Sequence, residues 1–319
     1  IIDGYHILSI TPDGTQPIVY DPAAVAWLDD KLKAITSSEP DKYVIVITHP
    51  MINNTVYGSL LGESSGVWDY MSGYWSTSAL TAVLDKYPQA VVFGGHLHFP
   101  LNDPRSIWQG GFTALGCGSV RYMSIECGGY ENMANSTTMN DKDEFSQGNL
   151  LQFDENGNMR VFRMDFYHNS VIGDPLTVQY PAENLSHLRK YSPSFRSLAN
   201  RAPTLSSMSV ETKDGITYVT FAAGADDEFV HDYSITLSKD GTTLVTKNIL
   251  ADFYKHPKAS YMASSWTVPL GNIGKGSFSL SLKAVDSWGA SATISKAFEI
   301  TDESNIWTND NSGSNPLVG

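Results

Sequence analysis

Hydrophobic residues follow two different patterns along the chain. Up to about residue 180, short β-branched runs such as Val91–Phe93 alternate with amphipathic stretches, a pattern typical of buried strands interleaved with helices. From Thr204 onward, short runs of alternating apolar and polar residues recur with turn residues between them, which predicts an all-β sandwich. We therefore expect an α/β domain followed by an all-β domain.

Two segments of the first part predict helices. Asp21 and Pro22 are an N-cap residue and a proline in the first turn, and the apolar residues that follow lie on one helical face: Val25, Leu28, Leu32 and Ile35. A second helix is predicted from Ser78 to Tyr87, because Pro88 cannot continue it. The first helix is expected to cover one face of a sheet.

Strands are predicted before, between and after these helices. Their expected ranges are 5–11, 43–50, 90–93, 112–122, 149–153 and 159–167. Asp154–Gly157 has the composition of a hairpin turn between the last two. The first domain is therefore expected to end in β-structure.

Two of the predicted strands end in histidine. The run VVFGGHLHFP at 91–100 places His96 and His98 after one strand, and YVIVITHP at 43–50 places His49 at the end of another. In an extended segment, residues i and i+2 point the same way with their Cα atoms roughly 6.6 Å apart, so both histidines of the first run would face one cavity. Because open α/β sheets bind ligands beyond the carboxyl ends of their strands, we predict that these three histidines bind metal.

Neighbouring residues refine this prediction. Gly94 and Gly95 fit a sharp turn or a close backbone approach. Histidines at a strand exit can also be surface residues without a ligand, which is the alternative for this pattern. His6 lies within a predicted strand, where histidine is more often a satisfied structural residue than a metal ligand.

The motifs THP at 48–50 and GGHLH at 94–98 resemble the last two signature motifs of the calcineurin-like metallophosphoesterases. The segments YDPAAVAWLDDKL and ALTAVLDKYP resemble the helices that precede those motifs. The resemblance implies an α/β fold, as part of a four-layer αββα domain, and a phosphate-ester substrate. It also implies two divalent metal ions (zinc, manganese or iron), with His49 and His96 on one and His98 on the other. It assigns no catalytic residue within this chain.

The chain departs from that family in its first motifs. Asp-x-His, Gly-Asp-x-x-Asp and Gly-Asn-His are all absent from the sequence. We therefore interpret the chain as the carboxyl-terminal half of a phosphoesterase domain, which self-associates or pairs with a missing amino-terminal half because the half-sheet would expose strand edges. Two functions stay open: a metal-dependent phosphoric ester hydrolase of which this chain is an incomplete part, and a non-catalytic binding or surface-attachment module with a vestigial phosphoesterase half.

Domain limits follow from these patterns. Residues 1–180 form the phosphoesterase-like half domain, 181–203 a proline-containing linker, 204–302 the sandwich and 303–319 a tail. Residues 277–301 resemble the last two strands of a fibronectin type III or immunoglobulin-like domain, with Asp286–Ala290 as their hairpin. Trp266 is expected to fill the sandwich core.

Charge and composition limit the partners. The formal charge of −13 over 319 residues disfavours nucleic acid and anionic membranes. No run of 18 apolar residues occurs, so no membrane span is predicted. We expect an extracytoplasmic protein, periplasmic, cell-surface or secreted. Cys117 and Cys127 then form a disulfide or stay free thiols.

Further candidate site residues come from the loop after His49 and from arginines. The loop aromatics either stack on a substrate moiety or pack the loop onto its own domain: Tyr57, Trp68, Tyr70 and Trp75. The sequence favours packing. Arg105 and Arg121 are candidates for bidentate contacts to phosphate, but no pattern places them near the histidines.

Overall fold

A computed structural model of the protein describes residues 1–14, 18–59, 75–126, 129–135, 137–155, 157–179, 189–255 and 262–301. The structure is β-rich, with several sheets. It divides into two compact units, one made of Ile1–Arg201 and Leu250–Met262, the other of Ala202–Ile249 and Ala263–Gly319. The predictions for Trp68, Tyr70, Cys127 and the tail at 303–319 lie outside the described residues.

The first unit contains the two helices expected from the sequence. Helix α1 (Pro22–Ser38) begins at Asp21, whose side chain accepts a hydrogen bond from the Ala23 N–H, and it buries the four apolar residues of the predicted face. Helix α2 (Ser78–Leu84) ends three residues before the predicted end at Tyr87. Lys86 and Tyr87 instead form a turn, through bonds to the carbonyls of Val83 and Leu84.

A five-stranded mixed sheet lies at the centre of this unit. Its strands are β1 (His6–Ser9), β2 (Val44–Pro50), β3 (Ala90–Gly95), β4 (Ile107–Gln109) and β5 (Thr113–Gly116), in the spatial order β1-β2-β3-β5-β4. All neighbouring pairs are parallel except β4 and β5. Helix α1 packs on this sheet and on α2. The carboxyl ends of β2 and β3, which carry the histidine motifs, are therefore adjacent.

A second, antiparallel sheet covers the opposite face. It contains β6 (Gln147–Phe153), β7 (Met159–Asp165), β8 (Ser170–Val171) and β9 (Leu176–Val178). Residues of β7 and β9 pack against Ile45, Phe93 and Leu115 of the mixed sheet in one buried cluster. The predicted turn at Asp154–Gly157 does join β6 and β7, because the Asp154 N–H bonds to the Asn158 carbonyl.

The strand predicted over 112–122 is wrong in its second half. Strand β5 ends at Gly116, and Gly118 has a φ of +65°, a left-handed conformation that a strand cannot continue through. The chain from Gly118 onward is therefore a loop that can reach the histidine motif.

Part of the predicted linker belongs to the first unit. Helix α3 (Pro193–Ala199) follows Ser192, whose hydroxyl caps it. Tyr191 accepts a backbone bond from Gln109 of β4, and Arg196 donates to the Pro104 carbonyl at 2.6 Å. The unit boundary therefore falls at Arg201, and Leu250–Met262 returns to the first unit instead of staying with the sandwich.

The second unit has two antiparallel sheets. One has the order β10-β11-β14, formed by Met208–Lys213, Ile216–Ala222 and Ser265–Gly271; the other has the order β13-β12-β15-β16, formed by Thr242–Leu250, Val230–Lys239, Gly276–Asp286 and Ser291–Ile300. The rings of Phe221 and Tyr233 meet between the sheets at 5.0 Å, and Trp266 lies 6.3 Å from Tyr233. The predicted hairpin at Asp286–Ala290 is confirmed by its closing backbone bond.

Among the described residues, no helix is both long and apolar enough to cross a membrane.

Candidate metal centre

The ends of β2 and β3 approach each other closely because Gly94 has no side chain. A β-carbon at Gly94 would lie 2.7 Å from the Met51 Cα and 2.9 Å from the Pro50 oxygen. At Gly95 the nearest atoms would be 3.9 Å away, an ordinary contact. The prediction of a close backbone approach is therefore confirmed for Gly94 only.

The position of His49 depends on an irregularity in β2. Ile47 pairs with Phe93, but the next pair joins Pro50 to Gly95, so β2 carries one more residue than β3 over this step. Such bulges bend a strand and redirect its side chains. His49 lies within this step and is solvent-exposed.

His49 and His96 form a direct pair. The Nε2 atom of His49 lies 2.8 Å from Nδ1 of His96, and the two rings are nearly perpendicular, with centroids 4.9 Å apart. The Trp75 indole packs edge-on against His96 at 5.2 Å and is almost fully buried. One ring nitrogen of His49 and one of His96, at the ends of neighbouring strands, thus face each other directly.

His98 packs against Tyr122. The two rings are 4.3 Å apart at their centroids. The His98 carbonyl accepts a hydrogen bond from the Ser124 N–H at 3.0 Å, which fixes this contact from the backbone. The Nδ1 atom of His98 is buried and has no hydrogen-bond partner among the described residues.

The three imidazoles influence one another electrostatically. Burial lowers the pKa of His96, and the positive charges that His49 and His98 can carry lower it further. Burial also lowers the pKa of His98, whereas its bond to the Tyr122 backbone acts in the opposite direction and His49 adds to the decrease. Both shifts favour the neutral ring, which is the form that binds a metal.

The backbone at the histidines differs from the extended segment predicted from the sequence. Strand β3 ends at Gly95, and His96 and His98 have φ values of +81° and +61°. Such angles are uncommon for residues other than glycine and concentrate at functional sites, where surrounding structure holds them. Leu97, which is buried, separates the two histidines.

The residues fit a metal ion that takes its remaining ligands from other groups. Tetrahedral zinc places two imidazole nitrogens about 3.3 Å apart, so the His49–His96 pair would have to open by only about half an ångström. The unpartnered Nδ1 of His98 is a free donor in a buried position. In the part of the chain that the structure describes, no three His, Cys, Asp or Glu side chains surround one point as a complete site would.

The aromatic residues of the loop that can be placed are packing residues. Tyr57 and Trp75 are 4% and 2% exposed, so neither can stack on a substrate without rearrangement. Tyr57 donates its hydroxyl hydrogen bond to Glu126, and its ring contacts Phe99 at 4.8 Å. The sequence-based preference for packing is borne out for these two.

The two candidate arginines have different environments. Arg105 forms a bidentate ion pair with the fully buried Asp103, at 2.9 Å for both contacts, and lies 4.1 Å above the Tyr57 ring. Its guanidinium is therefore already engaged. Arg121 is exposed and directly precedes Tyr122, the residue that contacts His98.

Three other histidines of the described residues have structural partners. The Nε2 atom of His6 lies 2.8 Å from Glu39, as expected for a satisfied structural residue. His168 pairs with Asp165 at 2.7 Å and His231 with Asp232 at 2.9 Å. Cys117 is a free thiol, and burial raises its pKa to about 11.

Sequence reasoning missed Tyr122 and Lys142. The Nζ atom of Lys142 lies 5.9 Å from the centre of the Tyr122 ring, and its carbonyl accepts a bond from the Met123 N–H. Both residues are distant in sequence from the histidines, Tyr122 on a loop and Lys142 at the start of a short 3-10 helix (Lys142–Glu144). The glycines at 116 and 118, which end β5 early, were the signal that this loop could turn toward the site.

Comparisons with known proteins give no family. No family profile and no curated protein matches this sequence. One solved structure that it matches is the spore cortex lytic enzyme SleM of Clostridium perfringens, at 9% sequence identity and a TM-score of 0.23, covering 88% of this chain and 76% of that one. A likeness of this size identifies neither fold nor function.

Proposed function

We propose that this protein is a metal-dependent phosphoric ester hydrolase, or the histidine-bearing part of one. The observation that carries the proposal is the 2.8 Å pairing of His49 and His96 at the ends of two adjacent parallel strands, with His98 two residues further along and electrostatically coupled to both. The layers of the first unit, with helices, a mixed sheet and an antiparallel sheet, support a partial αββα metallophosphoesterase domain. The motif resemblance in these same strands supplies the reaction class.

The histidines have separate roles in this proposal. His49 and His96 hold one divalent ion through the nitrogens that now face each other, and His98 offers its buried Nδ1 to a second. When bound, such an ion would supply activated water and would polarise a phosphoryl oxygen. Trp75 and Tyr122 hold the His96 and His98 rings in place and keep solvent from one side of each.

The experiment measures bound metal and hydrolysis together. We expect purified protein, dialysed against zinc or manganese, to retain metal by plasma mass spectrometry, and the double variant His96→Ala/His98→Ala to lose it. Hydrolysis of a chromogenic phosphomonoester and a diester is followed in the same samples. His6→Ala is the matched control, because His6 lies in β1 and pairs with Glu39.

The outcomes separate the two functions left open by the sequence. Metal and turnover that both disappear only in the double variant support the hydrolase. Metal binding without turnover supports the incomplete hydrolase, to be tested by adding the amino-terminal half of the domain. A parent chain that binds no more metal than the double variant contradicts the proposal and leaves the non-catalytic module.

A further inference from the structure

The segment Leu250–Lys255 comes between two strands of the sandwich in the chain but belongs to the first unit. It ends in a short 3-10 helix (Asp252–Lys255), in which Phe253 and Tyr254 are 1% and 5% exposed. Burial of this extent shows that the segment packs against other parts of its unit.

The partner of this segment is the stretch of chain that leads into β6. The side-chain amide of Asn132 donates to the Leu250 carbonyl and accepts from the Leu250 N–H, each at 2.9 Å. The Tyr254 ring packs against Phe145, with 5.6 Å between the ring centroids. The two stretches are therefore joined by backbone pairing as well as by side-chain packing.

Both oxygens of the Asp141 carboxylate are held by this segment. The Tyr254 hydroxyl donates to Oδ1 at 3.2 Å, and the Lys255 Nζ atom lies 3.0 Å from Oδ2. The side chains of Asp141 and Lys255 are only 20% and 22% exposed, so solvent screens this ion pair less than one on the open surface. Asp141 is therefore fixed more firmly than a surface carboxylate would be.

Contacts continue from Asp141 to the candidate metal centre. Lys142, the next residue, accepts the Met123 N–H at its carbonyl at 3.0 Å, and its Nζ atom lies 5.9 Å from the centre of the Tyr122 ring. Tyr122 in turn packs against His98, with 4.3 Å between the ring centroids. A continuous series of contacts therefore joins the held carboxylate to a histidine of the site.

We propose that Asp141, held by Tyr254 and Lys255, is a positioning residue for His98. The inference rests on the proposed function, because it assigns a support to one of the proposed metal ligands. His98 has a φ of +61°, a conformation that persists only where surrounding structure imposes it. Loss of the carboxylate frees Lys142, and the His98 ring then moves relative to the Tyr122 ring.

The first test follows the His98 ring by ¹H–¹³C NMR in EDTA, so that no metal is required. The Tyr122 ring current shifts the His98 ring protons at this distance, and His98→Gln assigns their signals. We expect Asp141→Ala to move these signals and to leave those of His6 in place. The matched control is Asp41→Ala, which removes an exposed carboxylate elsewhere in the first unit and should move neither.

A second pair of variants separates positioning from charge. Lys255→Ala should move the His98 signals in the same direction as Asp141→Ala, although the two substitutions change the net charge in opposite directions. Lys255→Arg keeps the cation and should restore the parent spectrum. Because Lys255→Ala leaves the Asp141 carboxylate in place, it also decides the inference if Asp141→Ala does not fold.

Zinc titration gives the second readout, under conditions where urea unfolding shows each variant to be folded. We expect Asp141→Ala and Lys255→Ala to weaken zinc binding about tenfold, the low end of the range for residues that support metal ligands. Lys255→Arg and Asp41→Ala should bind zinc as the parent does.

The two readouts distinguish failure of the inference from failure of the proposed function. Unmoved His98 signals in the folded variants, or signals that move in opposite directions, overturn the inference and leave the proposed function standing. Moved signals with zinc affinity equal to that of the parent overturn the role of Asp141 in metal binding. If the parent itself binds no zinc, the proposed function fails, and the NMR comparison alone decides whether Asp141 positions His98.

Discussion

A β-carbon at Gly94 would lie 2.7 Å from the Cα of Met51, so the carboxyl end of β3 and the chain after His49 are in direct backbone contact. His49 lies near the end of β2, and His96 directly follows β3. Their 2.8 Å separation therefore depends on the absence of a side chain at one position.

We predict that Gly94→Ala destabilises the protein and separates the histidine pair. Overpacking of this kind costs about 1–3 kcal/mol, because the new methyl would meet backbone atoms of Pro50 and Met51, which cannot rotate away. Urea unfolding measures the loss, and zinc content measures the effect on the pair. Gly95→Ala is the control, since its new methyl would have contacts at 3.9 Å; equal losses in both variants would contradict the explanation.

Gly58 is a second glycine that supports the histidine loop. It has a φ of +83°, and a β-carbon there would lie 2.6 Å from the Phe99 ring and 3.0 Å from Leu97. Leu97 and Phe99 flank His98 in the chain. The loop is thus shaped by residues from the segment after His49 as well as by its own sequence.

We predict that Gly58→Ala costs more stability than Gly14→Ala and reduces zinc binding. Both glycines have similar positive φ values, but a β-carbon at Gly14 would meet nothing within 4 Å. The strain of a left-handed residue, about 1–2 kcal/mol, is therefore common to both, and the excess at Gly58 measures the collision. Urea unfolding of the two variants compares them, and indistinguishable midpoints would rule out the collision.

Much of the layer arrangement could be predicted from the sequence. The four buried residues of α1 recur at helical spacing. The β-branched runs mark β2 and β3, because the side chains on both faces of a parallel sheet are buried and therefore apolar. The alternating apolar and polar residues after Thr204 predicted an all-β unit, and the structure has two antiparallel sheets there. These are local periodicities that burial imposes directly.

The shape of the site could not be predicted in this way. The positive φ values of His96 and His98 occur in a loop that packs against residues distant in sequence, including Gly58 and Tyr122. The contact of Tyr122 with His98 depends on β5 ending at Gly116, where a longer strand was predicted. Tertiary packing decides such features, and no periodicity records it.

The buried pair of Asp103 and Arg105 yields a third prediction. Asp103 is completely buried and the Arg105 side chain is 11% exposed. Removing the carboxylate in Asp103→Ala leaves a buried guanidinium without its partner, which costs about 3–5 kcal/mol. Lys86→Ala breaks an exposed pair with Asp29 and should cost less than about 1 kcal/mol. Urea unfolding of both variants tests the difference, and similar losses would contradict it.

A fourth prediction concerns alkaline pH and Tyr20. Burial raises the pKa of Tyr20 to about 12, although its hydrogen bond with Thr48 acts to lower it. In the unfolded chain the phenol titrates near pH 10. Between these values the folded state holds the proton more tightly, so the free energy of unfolding falls as pH rises through this window, and is unaffected below it.

Tyr20→Phe should flatten that fall. We expect the urea midpoint of the parent to decrease from about pH 10 upward more steeply than that of the variant, with the two profiles parallel at pH 7–9. The exposed Tyr167 gives the control substitution Tyr167→Phe, which should leave the alkaline profile unchanged. Parallel profiles for parent and Tyr20→Phe across the whole range would refute the assignment.

The last prediction concerns acid and the lowered pKa values of His96 and His98. Burial is the main cause at both residues, so the unfolded chain binds protons at a higher pH than the folded one. As pH falls below the ordinary histidine value of about 6.5, the unfolded state gains protons first and the free energy of unfolding decreases. The same protons compete with a metal for the ring nitrogens.

Two measurements test this coupling. In EDTA, the urea midpoint of the parent should fall between pH 6.5 and 5 more than that of His96→Gln/His98→Gln, because the variant lacks the titrating rings. In zinc, the parent should release its metal over the same acid range. His6→Gln serves as the control for a histidine outside the site, since His6 pairs with Glu39. An acid profile that the double substitution leaves unchanged would show that these two rings do not titrate in this range and would contradict the prediction.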